Sequence, residues 1–261
     1  MGVRMLVDFN HGSGCVYGRD TSAPESLAAR VNAHIDAALI ADRDGQRPRD
    51  YLGASRIGEP CARRLVYEVR RTPPDPGKDF DGRTLRIFAA GHVFEDLAIR
   101  WLRQAGFDLR TQTPTGGQFG FETAGGRIRG HVDGVIVAGP DVGVAWPALW
   151  EHKALKASSW TDTVKKGVQL SKPVYFGQMQ IYMAYMGLGS AVFTALNKDT
   201  CDIHHELVPF EPAAAQALSD KAVDVLRAAD TGDLLPRIAS SPDFFLCRFC
   251  PFSIRCWEDR T

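Results

Sequence analysis

The segment Gly130-His131-Val132-Asp133-Gly134-Val135-Ile136-Val137 places one acid inside an apolar run, and Trp150-Glu151-His152-Lys153 places an acid and a lysine two apart a little further on. Both stretches are dense in β-formers, and turn residues punctuate the chain around them. Side chains two apart in a strand face the same way, so Glu151 and Lys153 project together. With the two strands paired in register, Asp133 reaches the same spot. Two carboxylates at the ends or kinks of adjacent strands make the oxygen set that a hard divalent ion such as magnesium or manganese prefers. Such an ion polarises a phosphodiester and lowers the pKa of a water that attacks phosphorus. A lysine beside it orients that water or neutralises the charge that develops. An isolated strand Asp, or Glu-x-Lys on a solvated face, is also common where no chemistry takes place, so the surrounding segments carry much of the weight.

Working outward, Gln118 to Glu122, Arg127 to Val137 and Ala148 to Leu155 read as a three-stranded meander with a turn at Gly125-Gly126. Upstream, Thr84 to Gln104 reads as a helix with Leu85, Phe88, Val93, Leu97 and Trp101 on its apolar stripe and Gly106 as its stop. Ser55 to Arg70 reads as another, Ser-capped, with Cys61, Leu65 and Val69 on one face, broken afterwards by Pro73, Pro74, Pro76 and Gly77. Downstream lie a helix from Pro173 to Met186 ending at Gly187, strands Ala191 to Leu196 and Ile203 to Val208, and a helix from Pro212 to Ala229. This order predicts an α/β fold with one mixed central sheet flanked by helices. Residues 1–50, with a helical stretch at Leu27 to Ile40 and a polar linker at Arg43 to Asp50, read as an N-terminal extension to one domain over residues 51–261.

Of 261 residues, 44% are hydrophobic and 24% charged, the composition of an ordinary globular chain. Lys and Arg number 31 against 31 Asp and Glu, so no overall basic charge announces a nucleic-acid partner, and any such surface must come from local clustering. The first ten residues hold too short an apolar run for a signal peptide, and no stretch approaches the roughly 20 apolar residues of a membrane span, so a cytoplasmic setting is expected. In a reducing compartment the six cysteines point to metal ligation or burial rather than disulfides. Cys247, Cys250 and Cys256 supply three soft ligands within ten residues, and Cys61 is the natural fourth. Four thiolates suit a 4Fe-4S cluster or tetrahedral zinc alike. Cys15 and Cys201 stand outside this pattern. A group held by both ends would clip the segment before the strands to the chain's end. On the entropy model for disulfides, closing so long a loop is worth about 5 kcal/mol.

Two further motifs give the pattern a family. Gly91-His92-Val93-Phe94-Glu95 lies on the helix before the strands, and Gln178-Met179-Gln180-Ile181-Tyr182 on the helix after them, where Gln178 and Tyr182 share a face. Together with Asp133, Glu151 and Lys153, these resemble the RecB-like branch of the PD-(D/E)xK nucleases, which have a restriction-endonuclease-like fold. The resemblance implies that Glu95, Asp133 and Glu151, with the backbone carbonyl of His152, hold Mg2+ or Mn2+, and that Lys153, Gln178 and Tyr182 complete the catalytic set. Many RecB-type domains have His where this chain has Glu95, and Glu there is closer to phage lambda-type exonucleases. One cysteine before the nuclease core and three after it resembles the iron-sulfur nucleases of the AddB and CRISPR-associated adaptation type, which favours a 4Fe-4S cluster over zinc.

The resemblance implies a DNA exonuclease acting on single strands or duplex ends, in recombination, repair or phage DNA processing. In a phage-encoded chain the setting would be the host cytoplasm. Lys156, Lys165, Lys166 and Lys172, with Trp160 and Tyr175 interleaved, suit a single strand whose phosphates meet lysines and whose bases stack on rings, or else form a solvated lysine-rich loop. No G-x-x-x-x-G-K-[ST] phosphate loop occurs, so any helicase or recombination motor would be a separate protein. The competing reading is a non-catalytic module that keeps the fold to bind DNA ends or another protein.

Overall fold

The computed structural model describes residues 26–258; Cys15 and the rest of residues 1–25 lie outside them. The described chain forms two compact units, residues 26–47 with 80–86, and residues 48–79 with 87–258. In the smaller unit helix α1 (Leu27–Asp44) starts at Ser26, whose hydroxyl accepts the Ala29 N–H at 3.1 Å and so satisfies one orphan donor of the first turn. No α1 residue is buried. Arg86 pairs with Asp36.

The larger unit begins with β1 (Leu52–Gly53), α2 (Ala54–Ile57) and α3 (Ala62–Val69). Helix α4 (Gly82–Gln104) follows, its first residues belonging to the smaller unit. Strands β2 (Asp108–Arg110), β3 (Gly120–Thr123), β4 (Ile128–His131), β5 (Gly134–Ala138) and β6 (Ala148–Leu155) come next. Helices α5 (Ala157–Ser171) and α6 (Pro173–Met186), strands β7 (Ser190–Asn197) and β8 (Ile203–Pro209), and helix α7 (Pro212–Thr231) complete the body. Two short helices, α8 (Phe245–Arg248) and α9 (Ser253–Glu258), close the described chain.

The strands form a five-stranded sheet, β2-β5-β6-β7-β8, and a three-stranded sheet, β1-β4-β3. In the larger sheet β6 and β7 run parallel and the other pairs antiparallel. Alternation along β6 divides its side chains between two cores. Leu149 and Leu155 join Phe193, Ala195 and residues of α2, α3, α6 and α7 in the main core, and Trp150 joins Ile136, Leu109 and Ala98 of α4 in a smaller one. Phe193 and Trp150 are wholly buried, and burying side chains of this size contributes roughly 1.5–3 kcal/mol each. Glu151 and Lys153 therefore project on the main-core side.

The expected single strand from Arg127 to Val137 is instead two. β4 ends at His131 in the small sheet and β5 starts at Gly134 in the large one, leaving Val132 and Asp133 at the crossing. Gly130 permits the close approach there, since a Cβ at that position would stand 2.6 Å from the rings of both Phe121 and Tyr182. The expected helix from Ser55 to Arg70 is also interrupted. α2 and α3 are separated by Gly58-Glu59-Pro60-Cys61, and Cys61 is the residue that caps α3 rather than a member of a helical stripe. The apolar stripe assigned to α4 does not face the core: Val93 is 60% exposed, Phe88 47% and Trp101 38%. The helix is turned so that Ala98, Ile99 and Leu102 meet the sheet. Glu95 precedes Ala98 by three residues and Leu102 by seven, which puts it on that same face. Helix α6 has the expected bounds, with Pro173 in its first turn and Gly187 in the left-handed conformation at its end.

The lysine-rich stretch after β6, expected either to meet a DNA strand or to form a solvated loop, is largely helix α5. Its backbone breaks at Gly167 (φ 75°, ψ 162°), and Glu206 of β8 accepts the Val168 N–H at 2.8 Å to restart it. A helix held by a carboxylate from a distant strand leaves little local signal.

Candidate active site

At the crossing between the sheets, the β5–β6 ladder ends at Gly134 opposite Trp150, so Asp133 and Glu151 lie one step beyond its last rung. Asp133 Oδ2 accepts the His152 N–H at 2.9 Å, which fixes the carboxylate against β6. Glu151 is fully buried, and its Oε1 accepts from Lys153 Nζ and, at 2.7 Å, from Gln178 Nε2 of α6. Lys153 Nζ also donates to the His152 carbonyl at 2.9 Å, stands 3.7 Å from Asp133 Oδ2, and lies 5.3 Å from the centroid of the Tyr175 ring. Tyr182 is buried and meets the ring of Phe121 edge-on. Glu95 of α4 is close enough to Asp133 and Glu151 for their charges to act on one another. The structure thus brings Glu95, Asp133, Glu151, Lys153, Gln178 and Tyr182 together from α4, the sheet crossing, β6 and α6.

The electrostatics follow from placing several charges where water is scarce. Burial, and then the neighbouring Asp133, push the Glu151 carboxyl above the usual range; burial and Asp133 do the same to Glu95. Burial works against the charge of Lys153, but Glu151 and Asp133 outweigh it and hold the ammonium above the ordinary lysine value. Tyr182 is likewise raised, by burial first and the two acids second. His152 points to the opposite side of the sheet, where burial and then Lys153 hold its imidazole down to about 4.

The donor chemistry fits a hard cation. Glu151 Oε2 is buried and has no hydrogen-bond partner, an orphaned carboxyl oxygen of the type that a divalent ion satisfies. Among the described residues no three His, Cys, Asp or Glu side chains close on a point as the ligands of one ion do. Here the Lys153 ammonium takes the inner position between the two acids, and the His152 carbonyl is turned to that ammonium.

A second constellation gathers the four cysteines singled out by spacing. Cys61, Cys247, Cys250 and Cys256 line one small cavity, with Arg64, Tyr67, Arg237 and Trp257 also in its wall. Asp75, in the proline-rich break after α3, holds the C-terminal segment in place. Its carboxylate accepts the Ile254 N–H at 2.6 Å and the Arg255 N–H at 3.3 Å, and its own N–H donates to the Pro251 carbonyl at 2.7 Å. Arg237 Nη2 donates to the Cys256 carbonyl at 2.7 Å, and Phe252 packs on Tyr67 with ring centroids 5.2 Å apart. Burial, reinforced by the neighbouring thiols, raises Cys247 and Cys250 above the ordinary thiol value, and a bound cation would favour their thiolate forms. Sequence reading passed over Asp75 because its neighbours announced only a chain break. Cys201 is exposed after β7, away from this set.

No protein-family model matches this chain, and no curated protein does. Among solved structures it is similar to an alkaline exonuclease, LHK-Exo, from Laribacter hongkongensis, with a TM-score of 0.51 and 15% identity over 77% of this chain and 93% of that one. It is also similar to the protein SSO0001, with a TM-score of 0.52 and 15% identity over 88% of this chain and 98% of that one. The fold is restriction-endonuclease-like. At this identity the likeness speaks for the fold alone.

The lysines and rings expected to meet DNA are distributed differently from one another. Lys156 and Lys165 are exposed, at the start and on the surface of α5. Lys166 and Lys172 both pair with Asp162, at 2.6 Å and 3.8 Å. Trp160 packs against the main core and donates its indole N–H to the Ala195 carbonyl at 2.9 Å. Tyr175 stacks on Phe193, with ring centroids 6.5 Å apart, and carries Lys153 over its face. No helix among the described residues is long and apolar enough to cross a membrane.

Proposed function

We propose that this chain is a divalent-metal-dependent deoxyribonuclease that degrades DNA from an end, with a 4Fe-4S cluster at its four cysteines. The observation that carries the reading is the convergence of Asp133, Glu151 and Lys153 where the chain crosses from one sheet to the other, with Gln178 locking the buried carboxylate. Glu95, Asp133 and Glu151 are the residues that would hold Mg2+ or Mn2+. Such an ion, when bound, polarises the phosphodiester and lowers the pKa of the attacking water. Asp133 and Glu151 are fixed by the His152 N–H and by Gln178, so their oxygens need little reorganisation to serve as ligands. Lys153 remains charged throughout and stands beside the acids, where it offsets the negative charge that grows on the phosphoryl oxygens. Tyr182 is buried on the same face of α6 as Gln178. Exposed Lys156 and Lys165 on α5 are the residues that would take the backbone of the bound strand.

The test is degradation of labelled linear DNA, single- and double-stranded, beside a covalently closed circle of the same sequence, with Mn2+ and with chelator. Linear DNA should disappear with Mn2+ alone and the closed circle should survive. Rapid nicking of the circle would make the chain an endonuclease instead, and equal activity in chelator would remove the metal from the account.

The cluster rests on the four cysteines sharing one cavity wall rather than closing on a single point. Anaerobically purified protein should be brown, its broad visible absorption lost in Cys250→Ala and unchanged in Cys201→Ala. Colourless protein with stoichiometric zinc and no iron would assign the cysteines to zinc.

A further inference from the structure

We propose that Arg63 is the counter-charge of the metal–thiolate group held by the four cysteines, and that it raises the reduction potential of that group. The inference rests on the cysteine site proposed above. Arg63 lies two residues after Cys61 on α3 and is fully buried. Its Nε donates to the Leu235 carbonyl at 2.6 Å, and its Nη1 reaches the Cys256 carbonyl at 3.5 Å and the Cys256 sulfur at 3.9 Å. Its Nη2 is buried with no partner. The nearby acids are engaged elsewhere: Glu59 pairs with Arg56 and Arg64, and so does Glu68. No carboxylate among the described residues forms an ion pair with Arg63.

A guanidinium stays ionised in proteins, so burial cannot be relieved by losing its proton. An uncompensated buried charge is costly, and two carbonyls only partly replace the water it gave up. Among the described residues, the group beside it able to carry negative charge is the Cys256 sulfur. Four thiols ligating a metal group are four thiolates, and a cluster or ion bound by them is anionic overall. Arg63 beside Cys256 offsets that charge. Reduction adds one further electron from an external one-electron reductant and one further negative charge, so a fixed cation stabilises the reduced form more than the oxidised one. The indole N–H of Trp257, also buried without an acceptor and set beside the Cys247 thiol, adds a dipole of the same sense.

The experiment compares wild-type protein, Arg63→Gln and Arg63→Lys after anaerobic reconstitution with ferrous iron and sulfide, titrated with dithionite and followed by visible absorption. Arg63→Gln should keep its colour while its one-electron reduction constant falls about tenfold, a midpoint potential lower by about 59 mV. Arg63→Lys keeps the charge and should stay within about threefold of wild type. Equal potentials in Arg63→Gln and wild type would overturn the proposal, as would a shift in Arg63→Lys as large as in Arg63→Gln, which would mark the hydrogen-bonding fork rather than the charge. Should Arg63→Gln fail to fold, Arg63→Met carries the same comparison. If wild type takes up zinc and no iron, the cluster reading and the claim about reduction potential both fail, and the counter-charge alone is read from zinc release to a chelator. Release at least tenfold faster from Arg63→Gln than from Arg63→Lys would support it, and equal rates would overturn it. Wild-type protein that binds neither metal would overturn both the cysteine site and the role of Arg63.

Discussion

Asp133→Asn and Glu151→Gln should each lower the rate of DNA hydrolysis by about 1,000-fold or more, and the double variant should fall hardly further. The magnitude corresponds to roughly 4 kcal/mol of lost transition-state stabilisation. Non-additivity follows from the geometry. Asp133 is pinned to the His152 N–H and Glu151 lies one residue before it on β6, so the two acids face one position from adjacent strands. If both ligate one ion, removing either removes the ion's contribution, and the second removal has little left to take. A double-mutant cycle on turnover, with Mn2+ saturating for the wild type, measures this. Losses that multiply independently would separate the two acids into different roles. Isosteric amides keep the shape of the site, and a thermal melt confirms that each variant is folded.

Lys153→Ala should lose about 100-fold in turnover, for a different reason. The ammonium neutralises both acids in this structure but is not what positions them. Asp133 keeps the His152 N–H and Glu151 keeps Gln178 when the lysine is gone. Divalent-cation affinity should therefore persist or rise, since a competing cation has been removed from between the carboxylates. Calorimetric titration with Ca2+, which takes the same oxygen ligands, reads this independently of activity. A Lys153→Ala protein that no longer binds Ca2+ would show that the lysine supports the carboxylates, and wild-type turnover would remove it from the chemistry.

Local rules were sufficient wherever one element carried its own signals. Helix α6 has proline at its start and a left-handed glycine at its end, and both are visible as letters. Glu151 and Lys153 share a face of β6 because strand periodicity is two. The features that needed tertiary context were the ones misread. The apolar run from Ile128 to Val137 crosses two sheets, and what divides it is pairing with β1 and β3 on one side and β2 and β6 on the other. The rotation of α4 is set by Ala98 and Leu102 against the sheet, although larger apolar residues lie on its other faces. That rotation turns Glu95 toward the acids, whereas the helical stripe read for α4 would have turned it away. In the sequence Arg63 reads as one of a group of surface arginines near Cys61, with Arg64, Arg70 and Arg71, and Asp75 as an ordinary aspartate among prolines. Only their burial beside the C-terminal segment distinguishes them.

The most direct measurement of the central claim is the rate at which Glu151→Ala, shown by its melt to be folded and by its colour to retain the cysteine-bound group, degrades end-labelled linear DNA in Mn2+. The account predicts no product above the chelator control. Degradation at the wild-type rate would contradict it and place the reaction elsewhere in the chain.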